Sequence, residues 1–192
     1  MDSLGPTLLS ILLGVGLAAA CGLRVFLPLF IASALSHFDV GGLGLREGFG
    51  WLAGWPTMIA LGAATIAELL SYFIPLVDHA LDAIAVPLAS VAGTAVAMSS
   101  FVDLPPFLAW GLALIAGGGI AGLVSAGTAA TRVASTTTTA GFGNPVLAVG
   151  ESAGALLLSL LAWFLPVIAG VVVLLLVWWV VRWLVRLRRS AP

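Results

Sequence analysis

Apolar residues run along this chain in long uninterrupted stretches, and short polar segments separate them. The stretches extend over residues 7–35, 56–74, 76–98, 105–127, 145–165 and 167–184. A helix needs about 20 apolar residues to cross the hydrocarbon core of a bilayer. The pattern therefore predicts an all-α, polytopic membrane protein that forms one domain over residues 1–192 with about six spans.

The first stretch is longer than one straight span requires. Its 29 residues would make a helix of about 43 Å, whereas a bilayer core is about 30 Å thick. Arg24 lies inside it, between Gly22 and Pro28, and helices kink or break at glycine and proline. Two geometries stay open: one tilted and kinked span, or two half-helices that meet near Gly22.

Small residues four positions apart indicate where helices pack closely. Gly118 and Gly122 lie in the fourth stretch, and Gly150 and Gly154 lie in the fifth. Pairs of this kind let the backbones of two membrane helices approach each other. We therefore expect close helix contacts at both pairs.

The stretch over residues 128–144 holds seven hydroxyl side chains and one charge, Arg132. It could be a re-entrant segment that lines a polar cavity, because irregular backbone survives at membrane depth only in such places. In that case Thr136, Thr137, Thr138 and Asn144 would line the cavity. The alternative is an ordinary loop outside the membrane.

The composition supports a membrane protein. The chain is 61% hydrophobic and 8% charged, against about 25% charged residues in soluble domains. The formal net charge is -1, so we expect membrane lipids as neighbours and no nucleic acid as a partner. One cysteine excludes an intramolecular disulfide. We expect no cofactor and no metal, and the chain is compatible with a homo-oligomer.

Acidic residues cluster where the second and third stretches meet. Glu68 lies in the second stretch, and Asp78 and Asp82 lie one helical turn apart in the third. A charge at the centre of a membrane helix costs about 2.5–3.5 kcal/mol, so these acids indicate proton or cation binding. The alternative is that Asp78, Asp82 and His79 lie at the membrane rim and only Glu68 is buried.

Arg24 is expected to bind an anionic group or to neutralise Glu68, because a guanidinium group pairs well with a carboxylate. The alternative is that its long side chain reaches the membrane surface. Arg132 and Glu151 repeat this arrangement later in the chain, which favours an inverted repeat of three plus three spans. The two halves would be residues 1–100 and 101–192.

Arginines at the end of the last stretch predict the orientation. These are Arg182, Arg186, Arg188 and Arg189. Basic residues concentrate on the cytoplasmic side of membrane proteins, so the C-terminus is expected in the cytoplasm, and with six spans the N-terminus also. The predicted location is the inner membrane of a bacterial cell.

Three segments carry a resemblance to a known family. They are Gly22-Leu-Arg-Val-Phe-Leu-Pro-Leu29, the run from Glu68 through Pro75 to Asp82, and Ser135-Thr-Thr-Thr-Thr-Ala-Gly-Phe-Gly-Asn-Pro145. In this order they resemble a bacterial integral-membrane family catalogued as domain of unknown function 4126. The resemblance implies a small multi-span inner-membrane protein, and it supplies no activity or catalytic residue.

The pattern favours a small transporter or channel that moves an ion or solute through a central charged site. The candidate site residues are Arg24, Glu68, Asp78, Asp82, Arg132, Thr136, Thr137, Thr138, Asn144 and Glu151. The alternative is a structural membrane protein whose buried charges serve helix packing only. A third class, a lipid-modifying enzyme that uses Asp78, His79 and Asp82, is weaker, and we expect no enzyme.

Overall fold

A computed structural model describes residues 4–41, 45–71, 75–102 and 104–190. The side chains of residues 4, 75–83, 184 and 187–190 lie outside the described part. The helices are α1 (Leu4–Leu23), α2 (Phe26–His37), α3 (Trp55–Ser71), α4 (Pro75–Ser100), α5 (Pro106–Leu112), α6 (Gly119–Thr139), α7 (Asn144–Phe164) and α8 (Pro166–Ser190). A 3₁₀ turn, Gly50–Ala53, precedes α3, and a π-helical segment, Ala113–Gly118, joins α5 to α6. The all-α prediction is confirmed.

The helices have the length and surface of a membrane protein. In the described ranges four are long and apolar enough to cross a bilayer: Gly5–Leu23, Pro106–Thr139, Asn144–Phe164 and Pro166–Trp183. Shorter apolar helices cover Phe26–His37, Trp55–Ser71 and Ile84–Ser100. Large apolar side chains point outward, as at Phe107, Ile115 and Leu174, which are 88%, 78% and 72% exposed. Such a surface is suited to lipid rather than to water.

The first apolar stretch forms two antiparallel helices. Along α1, Gly16 packs against Ala162, and Leu23 packs against Gly154, so α1 and α7 run in opposite directions. The break lies at Arg24 and Val25, just after Gly22. Of the two geometries left open by the sequence, the structure therefore has two helices.

After this break the chain runs back along α7. Arg24 contacts the carbonyl oxygen of Ala148, and the carbonyl of Val40 accepts a hydrogen bond of 2.8 Å from Trp163 Nε1. Residues 24–40 therefore follow α7 in its own direction. Phe30 packs against Gly62, and the His37 ring contacts the carbonyl oxygen of Ala53, so α3 then returns antiparallel to α2.

The bundle has two ends. We call one the Arg24 end, where Arg24, Ser71, Thr139 and Asn144 lie, and the other the Trp163 end, where Ala53, Phe101 and Trp163 lie. If α5 and α6 count as one run, the described chain makes seven runs of alternating direction. Leu4 therefore lies at the Trp163 end and Ser190 at the Arg24 end. Six spans would place both ends of the chain on one side of the membrane, whereas the seven runs place Leu4 and Ser190 at opposite ends of the bundle.

The two glycine pairs behave differently. Gly118 and Gly122 contact Thr94 and Ser90 of α4. The helices approach closely at these glycines, because a side chain on either one would collide with α4. This prediction is confirmed. Gly150 has open space where a side chain would stand, and at Gly154 a Cβ would meet only Leu23 Cδ1, at 3.3 Å. The prediction of a close contact is therefore wrong for Gly150.

The threonine-rich stretch is helical. Residues 128–139 continue α6 to Thr139, and the chain turns only at 140–143, where Ala140 and Gly141 have φ of 52° and 89°. The prediction of a loop or an irregular re-entrant segment is therefore wrong for residues 128–139. The hydroxyl groups of Thr137 and Thr138 donate to carbonyl oxygens one turn earlier, so they find acceptors within the helix itself.

Candidate functional site

Glu68 closes the open end of α2. The amides of Val25 and Phe26 stand at the break, where a helix has no partners of its own for its first N–H groups. Val25 N donates to Glu68 Oε1 at 2.8 Å, and Phe26 N donates to Oε2 at 3.1 Å. Glu68 is only 8% exposed. The carboxylate therefore satisfies both amides and faces the positive end of the α2 dipole.

Arg24 joins the same break to α7. Its Nη2 donates to the carbonyl oxygen of Ala148 at 2.5 Å and lies 3.4 Å from Glu151 Oε2. The Arg24 side chain is 0% exposed. It is therefore an interior group, and the alternative in which it reaches the membrane surface is wrong. Its ion pair with Glu151 links the first half of the sequence to the second.

Arg132 of α6 binds the Glu151 carboxylate through two nitrogens. Nε donates to Glu151 Oε1 at 3.3 Å, and Nη2 makes a short hydrogen bond to Oε2. Two parallel N–H···O bonds are the strong arrangement of this pair. The side chains of Arg132 and Glu151 are 7% and 10% exposed. We call Arg24, Arg132 and Glu151 the Glu151 cluster.

The cluster lies inside the bundle rather than at its tip. Glu151 follows Asn144, the first residue of α7, by seven positions, which corresponds to about 10 Å along the helix. At that depth ions are poorly hydrated, so each must be paired or hydrogen-bonded. One carboxylate shared by two guanidinium groups meets this need in a compact form.

A groove opens beside the cluster, between α2, α3 and α7. Its volume is about 470 Å³, within the 300–1,000 Å³ that is usual for ligand pockets. Leu27, Leu69, Val149 and Leu156 contribute apolar walls, and Arg24 lies at its inner surface. We call it the Arg24 groove. Val149 is 70% exposed and Leu156 42%, so the groove opens onto the apolar outer surface.

The other candidate residues fall into two groups. Asp78 and Asp82 have side chains outside the described part, so their role stays a prediction. Thr136, Thr137 and Thr138 are exposed on the last turns of α6, and Asn144 Nδ2 donates to Thr136 Oγ1 at 3.0 Å. These four thus form a polar group of their own beyond Arg132.

Sequence reasoning missed the backbone partners of the charged side chains. The amides of Val25 and Phe26 and the carbonyl of Ala148 make hydrogen bonds with Glu68 and Arg24. Gly22 and Pro28 around Arg24 were the available signal, because a helix that restarts after a break presents free amides. Which carboxylate meets them depends on how α3 packs.

Comparison with the curated proteins and with the solved structures found no match. The family comparison did find one, and it covers nearly the whole chain, including the break at Arg24 and Val25, both site glutamates (Glu68 and Glu151) and Arg132. Residues 11–186 match the family model described as Domain of unknown function (DUF4126), and the chain belongs to that family.

Proposed function

We propose that the protein is a small multi-pass transporter or channel of the bacterial inner membrane, and that the Glu151 cluster and Glu68 form its central site. The observation that carries the proposal is the sharing of Glu151 by Arg24 and Arg132 beside an open groove. Buried ionisable groups in membrane proteins commonly mark an ion or substrate pathway.

The cluster suits a proton- or cation-coupled cycle. Glu151 holds one arginine from the α1–α2 break and one from α6, so a shift of α7 can strengthen one ion pair while it weakens the other. A proton or cation at Glu151 would weaken both pairs at once. Glu68 and Asp82 are the further proposed carriers, and the two arginines are the counter-charges.

The orientation follows from the arginines of α8. Arg182 and Arg186 lie toward the Arg24 end, together with the arginines that follow them in the sequence. By the positive-inside bias we place the Arg24 end and the C-terminus in the cytoplasm. The Glu151 cluster would then lie about a third of the membrane depth from the cytoplasmic surface.

Flux in proteoliposomes tests the proposal. Liposomes with a pH gradient or a cation gradient, monitored with an entrapped dye, should show flux with the wild-type protein. Glu151→Gln and Glu68→Gln should each reduce that flux by about tenfold or more, because each removes a charge of the site. Glu47→Gln, which changes an exposed loop residue, is the control. Wild-type rates in both site variants would sink the assignment of the site.

The second candidate is a structural membrane protein whose buried charges hold its helices together. The observation that favours it is that Glu68 and Glu151 already make complete sets of contacts inside the protein. It predicts no flux in the wild type. It also predicts that joint replacement of all three members of the Glu151 cluster, Arg24 and Arg132 by Met and Glu151 by Leu, preserves the fold, since a complete buried set of ion pairs can be exchanged for well-packed apolar groups.

A further inference from the structure

We propose that the Arg24 groove binds a single-chain amphiphile with a carboxylate head, such as a long-chain fatty acid, with the head at Arg24 and the chain along α3 and α7. The inference rests on the proposed function, because it names the substrate class of the same site. It stands on three features of the groove: its walls, its one charged lining residue and its depth.

The walls suit a hydrocarbon chain. Leu27, Leu69, Val149 and Leu156 line the groove with apolar atoms, and Ala153 leaves room between them. The exposed faces of Val149 and Leu156 belong to the outer surface that meets lipid. A chain can therefore enter from the bilayer sideways and exchange one apolar environment for another without crossing water.

The head is specified by charge. Among the described residues that line the groove, Arg24 carries the charge, and its positive charge at the inner surface attracts an anionic head although the side chain itself is 0% exposed. The carboxylates of Glu68 and Glu151 stand close by, so each added negative charge is repelled as well as attracted. A head with one charge suits these surroundings better than a doubly charged phosphate ester.

The depth favours a free single chain over a bilayer phospholipid. Arg24 contacts Ala148 and Glu151, which lie about one to two turns inside α7, or about 6–10 Å from its first residue. Phospholipid head groups stand at the membrane surface, and two chains would require more room than about 470 Å³ between three helices. One chain whose head leaves the surface fits both the depth and the volume.

Binding in nanodiscs tests the proposal. The probe is stearic acid with a nitroxide near the chain end, and its immobilised fraction is measured by electron paramagnetic resonance in discs of zwitterionic phosphatidylcholine. We expect saturable binding that is about tenfold or more tighter than that of the spin-labelled alcohol of the same length, because the alcohol lacks the charge that Arg24 recognises. Equal binding of acid and alcohol would overturn the proposal.

Two variants locate the site. Ala153→Phe fills the groove without touching the Glu151 cluster and should reduce binding by about tenfold. Val146→Phe adds the same ring on an outward face, where Val146 is 75% exposed, and should bind like the wild type. Arg24→Gln should remove the preference for the acid over the alcohol, and Ala153→Phe keeps the test decisive even if Arg24→Gln does not fold. Unchanged binding in Ala153→Phe contradicts the groove.

Competition and flux separate the remaining outcomes. Displacement of the probe by excess phosphatidylglycerol, and not by unlabelled stearic acid, would identify a phospholipid site and overturn the single-chain proposal. Chain binding without flux in proteoliposomes leaves the groove assignment standing and removes the transport proposal. Flux without chain binding leaves the transport proposal standing and overturns the proposal that the Arg24 groove binds a single chain.

Discussion

Glu68 accepts the hydrogen bonds of two amides at the start of a helix, a role that water or a nearby side chain has in most soluble proteins. Free amides at the start of a helix are usually hydrated or capped by a nearby side chain. Val25 and Phe26 begin α2 inside an apolar bundle, where an unsatisfied amide costs several kcal/mol. The carboxylate of Glu68 reaches them from a different helix, and it is therefore as much a part of the α1–α2 connection as Arg24.

Replacing Glu68 tests this role. We expect Glu68→Ala to lower the free energy of unfolding by about 2–4 kcal/mol, because two buried amides lose a charged acceptor. Glu68→Gln keeps one acceptor oxygen and should lose about half as much. Unfolding in mixed micelles with rising dodecyl sulfate measures the difference, and the exposed Glu47→Gln is the reference. A loss below about 0.5 kcal/mol for Glu68→Ala would contradict the capping role.

Between elements, a close backbone contact joins α4 to the π-helical segment before α6. A Cβ on Gly117 would lie 2.7 Å from the carbonyl oxygen of Gly93 and 2.7 Å from Ala97 Cβ. The two backbones therefore touch, and van der Waals packing of this kind holds membrane helices together where the hydrophobic effect cannot. Glu68 lies in α3, which precedes α4, and Arg132 lies in α6. We therefore expect this contact to influence the distance between Glu68 and Arg132.

A matched pair of glycine substitutions tests the contact. Gly117→Ala should destabilise the protein by about 1–3 kcal/mol, because the new methyl group meets a backbone oxygen that cannot move alone. Gly150→Ala, with nothing within 4 Å of the new methyl, should be neutral or stabilise α7 by up to about 1 kcal/mol. The same unfolding titration compares them, and equal stabilities would mean that α4 and the π-helical segment are not in contact.

In the described part of the chain, the whole molecule is a bundle in which Leu4 and Ser190 lie at opposite ends. This follows from the reversal at Arg24, which adds one helical run to the six that the apolar stretches suggest. If every run crosses the bilayer and the Arg24 end is cytoplasmic, as we propose, Leu4 lies on the side away from the cytoplasm and Ser190 on the cytoplasmic side. The short α2 and α3 then line the side of the bundle where the Arg24 groove opens.

Cysteine labelling tests this topology. In a Cys21→Ala background, Gly5→Cys and Glu47→Cys should react with a membrane-impermeant maleimide from one side, and Phe142→Cys from the other, because they lie at opposite ends. The wild-type protein is the control. Its Cys21 is 0% exposed and should stay unlabelled in intact membranes. Labelling of Gly5→Cys and Phe142→Cys from the same side would exclude an odd number of crossings.

The sequence predicts the helices better than their connections. The stretch 145–165 became Asn144–Phe164, and 76–98 became Pro75–Ser100, because long apolar runs favour continuous helices, and α4 continues even through Pro87. The reversal at Arg24 was ambiguous, since the turn lies inside an apolar run. The extension of α6 to Thr139 was missed, because threonine is a poor helix former and a polar run without apolar periodicity is typical of loops.

The charged residues were found from the sequence, but their pairing was not. Arg24, Glu68, Arg132 and Glu151 stand out because charge is rare in an apolar chain. That Glu151 serves both arginines depends on how α7 packs beside α1 and α6. No local pattern carries that information, since the partners are up to 127 residues apart in sequence.

The cap on α2 also sets an order of events during synthesis. Val25 and Glu68 are 43 residues apart, so at about 5–20 residues per second the ribosome adds Val25 roughly 2–9 s before it adds Glu68. During that interval the nascent α1–α2 hairpin has two amides without their final acceptor. We expect the hairpin to stay near the aqueous vestibule of the insertion machinery until α3 arrives, so that the first three helices enter the bilayer together rather than one by one.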